Sequence, residues 1–250
     1  MADLNSIGST QVDTGFGITL VARMRALITR GQIGAAELLL PTLEKLTGAQ
    51  ASAVAIEAEI TLARGLTKRA AQILDQGLER FPTDAVLLTL RAEIGVAECD
   101  FVAAALTAAE AVTAKPDSAE AKSLLGRALL ELGRKEQAAI CLREACNAMS
   151  THTPTRLAFA RASPEEAGSI LRAGIAAAPS DIALRNALIR ALLAQDELEA
   201  AQNEVKATID SGCCDIETRL LAIEAAARTA NWAEAARLCD DPQFVGIVHA

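Results

Sequence analysis

The chain has no tyrosine, one tryptophan and five phenylalanines in 250 residues. Strands favour aromatic and β-branched side chains, so a sheet protein is disfavoured. A basic surplus is also missing: the formal net charge is −8. Nucleic acid needs a clustered basic face and aromatics for stacking, and with neither in view it is excluded as the main partner. No apolar run approaches the roughly 18–20 residues of a membrane span. The opening MADLNSIGSTQVDTG lacks a basic stretch followed by an apolar one, so a secretory signal is not expected and a cytoplasmic location is. Cysteine pairs at metal spacing are absent. Cys99, Cys141, Cys146, Cys213, Cys214 and Cys239 form no C-x-x-C, and His152 and His249 are far apart in sequence. Zinc needs about four convergent ligands at paired spacing. The expectation is therefore no metal and no cofactor, with the cysteines as small buried hydrophobes and loop thiols. The adjacent Cys213-Cys214 is the one candidate for redox or metal sensing. There is no P-loop, G-x-S-x-G, H-E-x-x-H or dinucleotide fingerprint. An enzyme is not expected.

What the chain does have is helix formers. It is 51% hydrophobic and 22% charged, rich in Ala, Leu, Glu, Arg and Gln, and reads as all-α. It also repeats. From Ala36, steps of 34 residues reach Ala70, Ala104 and Ala138; a step of 29 reaches Ala167; steps of 34 then reach Ala201 and Ala235. Four residues later stand Leu40, Leu74, Ala108, Leu142, Leu171, Val205 and Cys239. Five residues earlier stand Gly31, Gly65, Cys99, Gly133, Ala162, Asp196 and Ala230. Pro82, Pro116 and Pro179 follow twelve residues on. Self-similarity at a fixed period of roughly 20–50 residues signals stacked supersecondary units.

Each unit reads as a helical hairpin. In Ala119–Ala145 the stripe Leu124, Leu125, Ala128, Leu129, Leu132 has helical spacing. Gly133 stands where a helix end wants a left-handed residue, and a second stripe follows at Ala138, Ala139, Leu142 and Ala145. Between units, Pro82-Thr83-Asp84, Pro116-Asp117-Ser118 and Pro179-Ser180-Asp181 stop one helix and cap the next. Ser163-Pro164-Glu165-Glu166 has the pattern of a capping box with proline at the first helical position.

These residues resemble the tetratricopeptide repeat (TPR), a helix–turn–helix unit of about 34 residues. One unit matches through Leu125-Gly126, Leu129, Gly133, Ala138, Leu142 and Ala145, the preceding one through Cys99-Asp100-Phe101, Ala104, Ala111 and Pro116. Lys122 stands where the pattern has Trp, and Leu129 where it has Tyr. The resemblance implies a right-handed α-solenoid of stacked antiparallel hairpins. The units fall at about 17–50, 51–84, 85–118, 119–147, a shortened 148–181, 182–215 and 216–240, between a polar N-terminal tail (1–16) and an apolar C-terminal tail (241–250). Small residues in the Ala36 column, and at Ala58, Ala92 and Gly126 on the first helices, let the helices of a hairpin approach closely.

Two departures stand out. Pro41, inside a second helix, predicts a kink or break near Leu38–Leu40. The 29-residue step predicts a stunted helix over about Thr155–Ala162, a notch, and a division between the fourth and fifth units. Trp232 is expected to pack inside the last hairpin. The tail DDPQFVGIVHA is expected to fold back as a cap, to mediate self-association, or to mark a truncation.

By resemblance, the first helix of each hairpin lines a concave partner-binding surface. One position there is charged throughout: Arg25, Glu59, Glu93, Arg127, Arg190 and Glu224. Other inward positions are Val21, Ala55, Thr89, Ser123, Asn186 and Leu220. The charges read either as ion pairs (Arg25–Glu59, Glu93–Arg127, Arg190–Glu224) or as a mixed-charge groove for a polar peptide. A clamp for chaperone-tail carboxylates is not expected: its positions carry Val21, Arg25, Ile56, Val86 and Leu90, although Asn186 and Arg190 resemble half of one. The expectation is a non-catalytic scaffold that binds a protein or peptide segment in its groove. The alternatives are a self-assembling homo-oligomeric scaffold acting through its C-terminal face, or the repeat region of a larger enzyme such as a glycosyltransferase.

Overall fold

The computed structural model describes residues 4–46, 48–212 and 214–239, with side chains from residue 15 onward and excluding that of Cys239. Cys213 and the tail 241–250, on which the Cys213-Cys214 and capping expectations rest, lie outside these residues. Among the described residues there are fourteen helices and no strand. They are α1 (Leu4–Thr29), α2 (Ile33–Glu44), α3 (Gln50–Ala63), α4 (Thr67–Arg80), α5 (Ala85–Ala97), α6 (Phe101–Ala114), α7 (Ala119–Glu131), α8 (Lys135–Ala148), α9 (Thr153–Ala162), α10 (Pro164–Ala177), α11 (Ile182–Ala194), α12 (Leu198–Asp210), α13 (Ile216–Arg228) and α14 (Trp232–Cys239). The fold is an all-α, TPR-like solenoid of helical hairpins. None of these helices is long and apolar enough to cross a membrane. Helix α1 takes in most of the stretch expected as a polar tail.

The chain forms two compact units, residues 1–128 and 129–250. In the first, α1, α3 and α5 pack against one another in turn, and α2, α4 and α6 each pack on the helix before them. In the second, α9, α11 and α13 stack likewise, with α10, α12 and α14 as their hairpin partners. The division falls within α7, ahead of the shortened step where it was expected.

The repeating columns are the core. Ala36, Ala70, Ala104, Ala138, Ala167, Ala201 and Ala235 are all buried, as are Leu74, Ala108, Leu142, Leu171 and Val205 four residues on. Closeness requires the small side chains: a Cβ on Gly95 would stand 3.1 Å from that of Ala104. Burying an aliphatic side chain stabilises by roughly 1.5–3 kcal/mol, so the columns that set the period also supply the packing.

Six hairpin turns close in the same way. Gly31, Gly65, Cys99, Gly133, Asp196 and Ala230 are left-handed, with φ between 56° and 77°. The next residue's amide reaches back five positions to a helix carbonyl, as in Leu66 N to Thr61 O (3.1 Å) and Arg134 N to Leu129 O (2.9 Å). This double reversal satisfies carbonyls that a helix end otherwise leaves open. The inter-unit caps also form: the side chains of Asp84, Ser118 and Asp181 accept amides of Leu87, Ala121 and Leu184 at 3.0–3.2 Å.

Two expectations need correction. Helix α2 runs unbroken through Pro41. The proline is exposed, and Ala36 and Leu43 are fully buried on either side of it, so packing holds the helix past the lost amide bond. The capping box at Ser163 does not form. Its amide closes α9 on Phe159 O (2.8 Å), which leaves none for Glu166 to accept, and its hydroxyl meets the Glu166 carboxylate instead. Helix α10 nevertheless starts at Pro164 and α9 is short, beginning at Thr153 with Pro154 in its first turn.

Candidate protein-binding surface

The charged column divides into residues with ionic partners and residues without. In the first unit, Arg25 and Glu59 form a forked pair between α1 and α3. Arg25 Nε donates to both carboxylate oxygens of Glu59 (3.0 and 3.2 Å), and its Nη2 donates to Oε1 (2.8 Å). The Glu93–Arg127 pair does not form: among the described residues neither is engaged in an ion pair. Glu93 is exposed on α5 and Arg127 half-buried on α7. Helix α5 also carries Val86, exposed, and Thr89 and Leu90, half-buried. This part of the unit presents a carboxylate and a guanidinium among small and apolar groups.

In the second unit the Arg190–Glu224 pair is replaced by Arg190–Glu217 (2.8 Å), two turns nearer the start of α13. Glu224 lies 3.9 Å from Arg228 on its own helix. Arg228 itself donates to Leu193 O (2.6 Å) and Asp196 (2.9 Å), tying α13 to the turn after α11.

Residues 10–178 match the family model of the ChAPs, the Chs5p-Arf1p-binding proteins. The chain belongs to the ChAPs family. No curated protein matches the sequence. Among solved structures, the ChAPs chain is similar to a tetratricopeptide repeat protein from Parabacteroides merdae, with 14% identity and a TM-score of 0.61 over 89% of this chain and 90% of that one. It is also similar to PilW, a type IV pilus biogenesis factor, with 20% identity and a TM-score of 0.65 over 79% and 98%. A third similar structure is YrrB, a TPR protein with an unusual peptide-binding site, with 15% identity and a TM-score of 0.55 over 72% and 98%. These likenesses show the TPR fold.

Several positions expected to face a groove lie between helices in this ChAPs chain. Ala55 is buried in a cluster with Leu87 of α5, and Ser123 is buried too. Asn186 is fully buried. Its amide nitrogen donates to Asp215 (3.1 Å) and Glu217 (3.4 Å), and its carbonyl accepts the Thr218 hydroxyl (2.7 Å). Thr218 and Asp215 complete a capping box at the start of α13. Burial pushes the Asp215 carboxyl up, but the hydrogen bonds from Thr218 and Asn186 together outweigh it and hold the group below its ordinary range. Asn186 therefore locks α11 to α13, and half of a carboxylate clamp is not available at that place.

Sequence reasoning missed Glu217, Thr218 and Arg156. Asp215 and Thr218 three residues apart do carry the capping-box spacing, so that signal was present. Arg156 gives none. It is buried on α9, donating from Nε and Nη2 to Ser150 O (3.0 and 2.8 Å) and from Nη1 to Ile170 O (2.9 Å). Among the described residues no three His, Cys, Asp or Glu side chains are grouped as a metal site.

Proposed function

We propose that this ChAPs chain is a non-catalytic, cytoplasmic adaptor that holds a segment of another protein on the charged face of its first helices. The family's name describes proteins that bind Chs5p and Arf1p, and proteins of those two kinds are the first partners to test. The observation that carries the reading is the uneven pairing of the charged column. Arg25 and Glu59 satisfy each other, whereas Glu93 and Arg127 hold a mixed charge without an ionic partner among the described residues. An exposed ion pair contributes only about 0–1 kcal/mol, so a ligand carboxylate or ammonium competes with it easily. In the second unit Arg190 and Glu224 are the corresponding contacts.

The test is titration of the purified chain with Chs5p- and Arf1p-type proteins. Arg127→Glu and Arg190→Glu are expected to weaken binding tenfold or more; Arg190→Glu also loses its exposed pair with Glu217, worth about 0–1 kcal/mol, and lowers the melting temperature slightly. Lys68→Glu, on the exposed side of α4, is expected to leave binding intact. Unchanged affinity in both reversals would remove this face from the reading, and the absence of binding to either protein would remove the partner class.

A further inference from the structure

Helix α13 carries an apolar stripe that nothing described covers. Ile216, Leu220, Ile223 and Ala227 recur at helical spacing. Ile216 is 46% exposed, Leu220 is 54% exposed, and the other two are half-buried. The equivalent positions earlier in the chain are covered. Ala55 lies in one cluster with Leu87 of the following hairpin, and Asn186, 34 residues before Leu220, is sealed by the start of α13. Ile189 and Ala58, equivalent to Ile223, are fully buried. Trp232, expected to pack inside its hairpin, is 67% exposed, while its counterpart Leu198 is packed against the core of the second unit. The pattern that elsewhere receives the next hairpin is thus repeated on α13 and left open.

The chain itself supplies an occupant. Helix α14 runs back along α13, and Leu238, near its end, packs on the cluster that holds Leu221 and Ala222. The described chain thus ends on α14, whose last turn packs against α13. The residues after Cys239 read DDPQFVGIVHA, where Pro242 bars continuation of α14 and Phe244, Val245, Ile247 and Val248 follow. At roughly 3.3 Å per extended residue, Phe244 is within reach of Leu220 and Val248 of the stripe's far end. We infer that residues 242–248 of this chain lie on α13 over Ile216, Leu220 and Ile223, taking the place of a further hairpin. The inference is independent of the partner-binding reading, and either stands if the other fails.

Hydrogen exchange and sedimentation test it on three forms: the full chain, a chain ending at Cys239, and full-length Phe244→Ser/Val248→Ser. Both altered tails are expected to speed exchange several-fold across Ile216–Arg228, leave α11 unchanged, lower the melting temperature by several degrees and remain monomeric. Adding Leu220→Ser to either is expected to do little more, because the contact is already gone. Unchanged exchange in α13 for both tail variants overturns the inference. So does a full-length dimer that Leu220→Asp disperses and the tail variants do not, since a second copy would then cover the stripe.

Discussion

The turn at Gly133 and the junction at Ser163 each join two consecutive helices, by different means. At Gly133 the chain uses a left-handed residue and a five-residue backbond before α8 begins at Lys135. At Ser163 one residue closes α9 and precedes α10 directly. The hairpin contacts are nevertheless the same: Ala138 and Ala167 are buried, and so are Leu142 and Leu171. Position 174 differs. On α8 the corresponding residue is Ala145; on α10 it is Gly174, and the space a Cβ would fill is taken by Arg156, whose Cδ lies 2.6 Å from the built position. The short α9 brings a long side chain across α10, and its guanidinium binds carbonyls on both sides, at Ser150 and Ile170. At the shortened repeat one buried arginine ties α9 both to the segment before it and to α10.

The largest effect is expected from removing that arginine. Arg156→Ala would leave a cavity and two carbonyls without their guanidinium donor, and loss of a buried hydrogen-bonding partner typically costs about 1–3 kcal/mol for each group left behind. We expect about 3 kcal/mol lost in urea unfolding, and a smaller loss for Arg156→Lys, which keeps the charge but not the planar fork. Arg134→Ala, the exposed residue at the regular turn, should change stability by less than about 0.5 kcal/mol. Equal losses at 134 and 156 would show that the short junction does not depend on its arginine.

Next in size is Gly174→Ala. The new methyl meets Arg156 Cδ and, at 2.9 Å, Leu184 Cδ1, and overpacking of this kind costs about 1–3 kcal/mol. In an Arg156→Ala background the same change should cost less, because only the contact with the flexible end of Leu184 remains. A thermodynamic cycle over the four chains measures this, and additive losses would break the link between the two residues.

The period, the small-residue columns, the left-handed turns and the proline-ended loops were legible because each is a local rule repeated in sequence. Ala36 to Ala235 announce close packing, and Gly31, Gly65 and Gly133 announce left-handed backbone. Ser163 was misread because one residue serves two helices there, and its amide can make only one bond. The charged column was legible as a column, but not its pairing. Arg190 pairs with Glu217 and Glu224 with Arg228, and the Asn186–Thr218 contact that joins α11 to α13 beside the first pair has no mark in the repeat pattern. Arg156 carries no signal in the sequence, since nothing in the pattern of α9 marks it for burial.

The smallest effects separate the two junctions by sign. Cys99, Asp196 and Ala230 hold left-handed backbone without being glycine, and a side chain there costs about 1–2 kcal/mol relative to right-handed geometry. Ala230→Gly should recover part of this, offset by glycine's greater freedom in the unfolded chain, for a net gain of about 0.5 kcal/mol. Gly133→Ala should lose about 1 kcal/mol by the reverse reasoning. Ala162 belongs to the same sequence column, yet it is the last residue of α9, buried and right-handed, with nothing for glycine to relieve. Ala162→Gly should therefore destabilise by about 0.5–1 kcal/mol, as glycine does in a helix. Thermal melts of the three variants decide it. A gain at 162 to match the gain at 230 would mean that the fifth junction uses a left-handed turn after all, and that the replacement of backbone closure by Arg156 is not what distinguishes it.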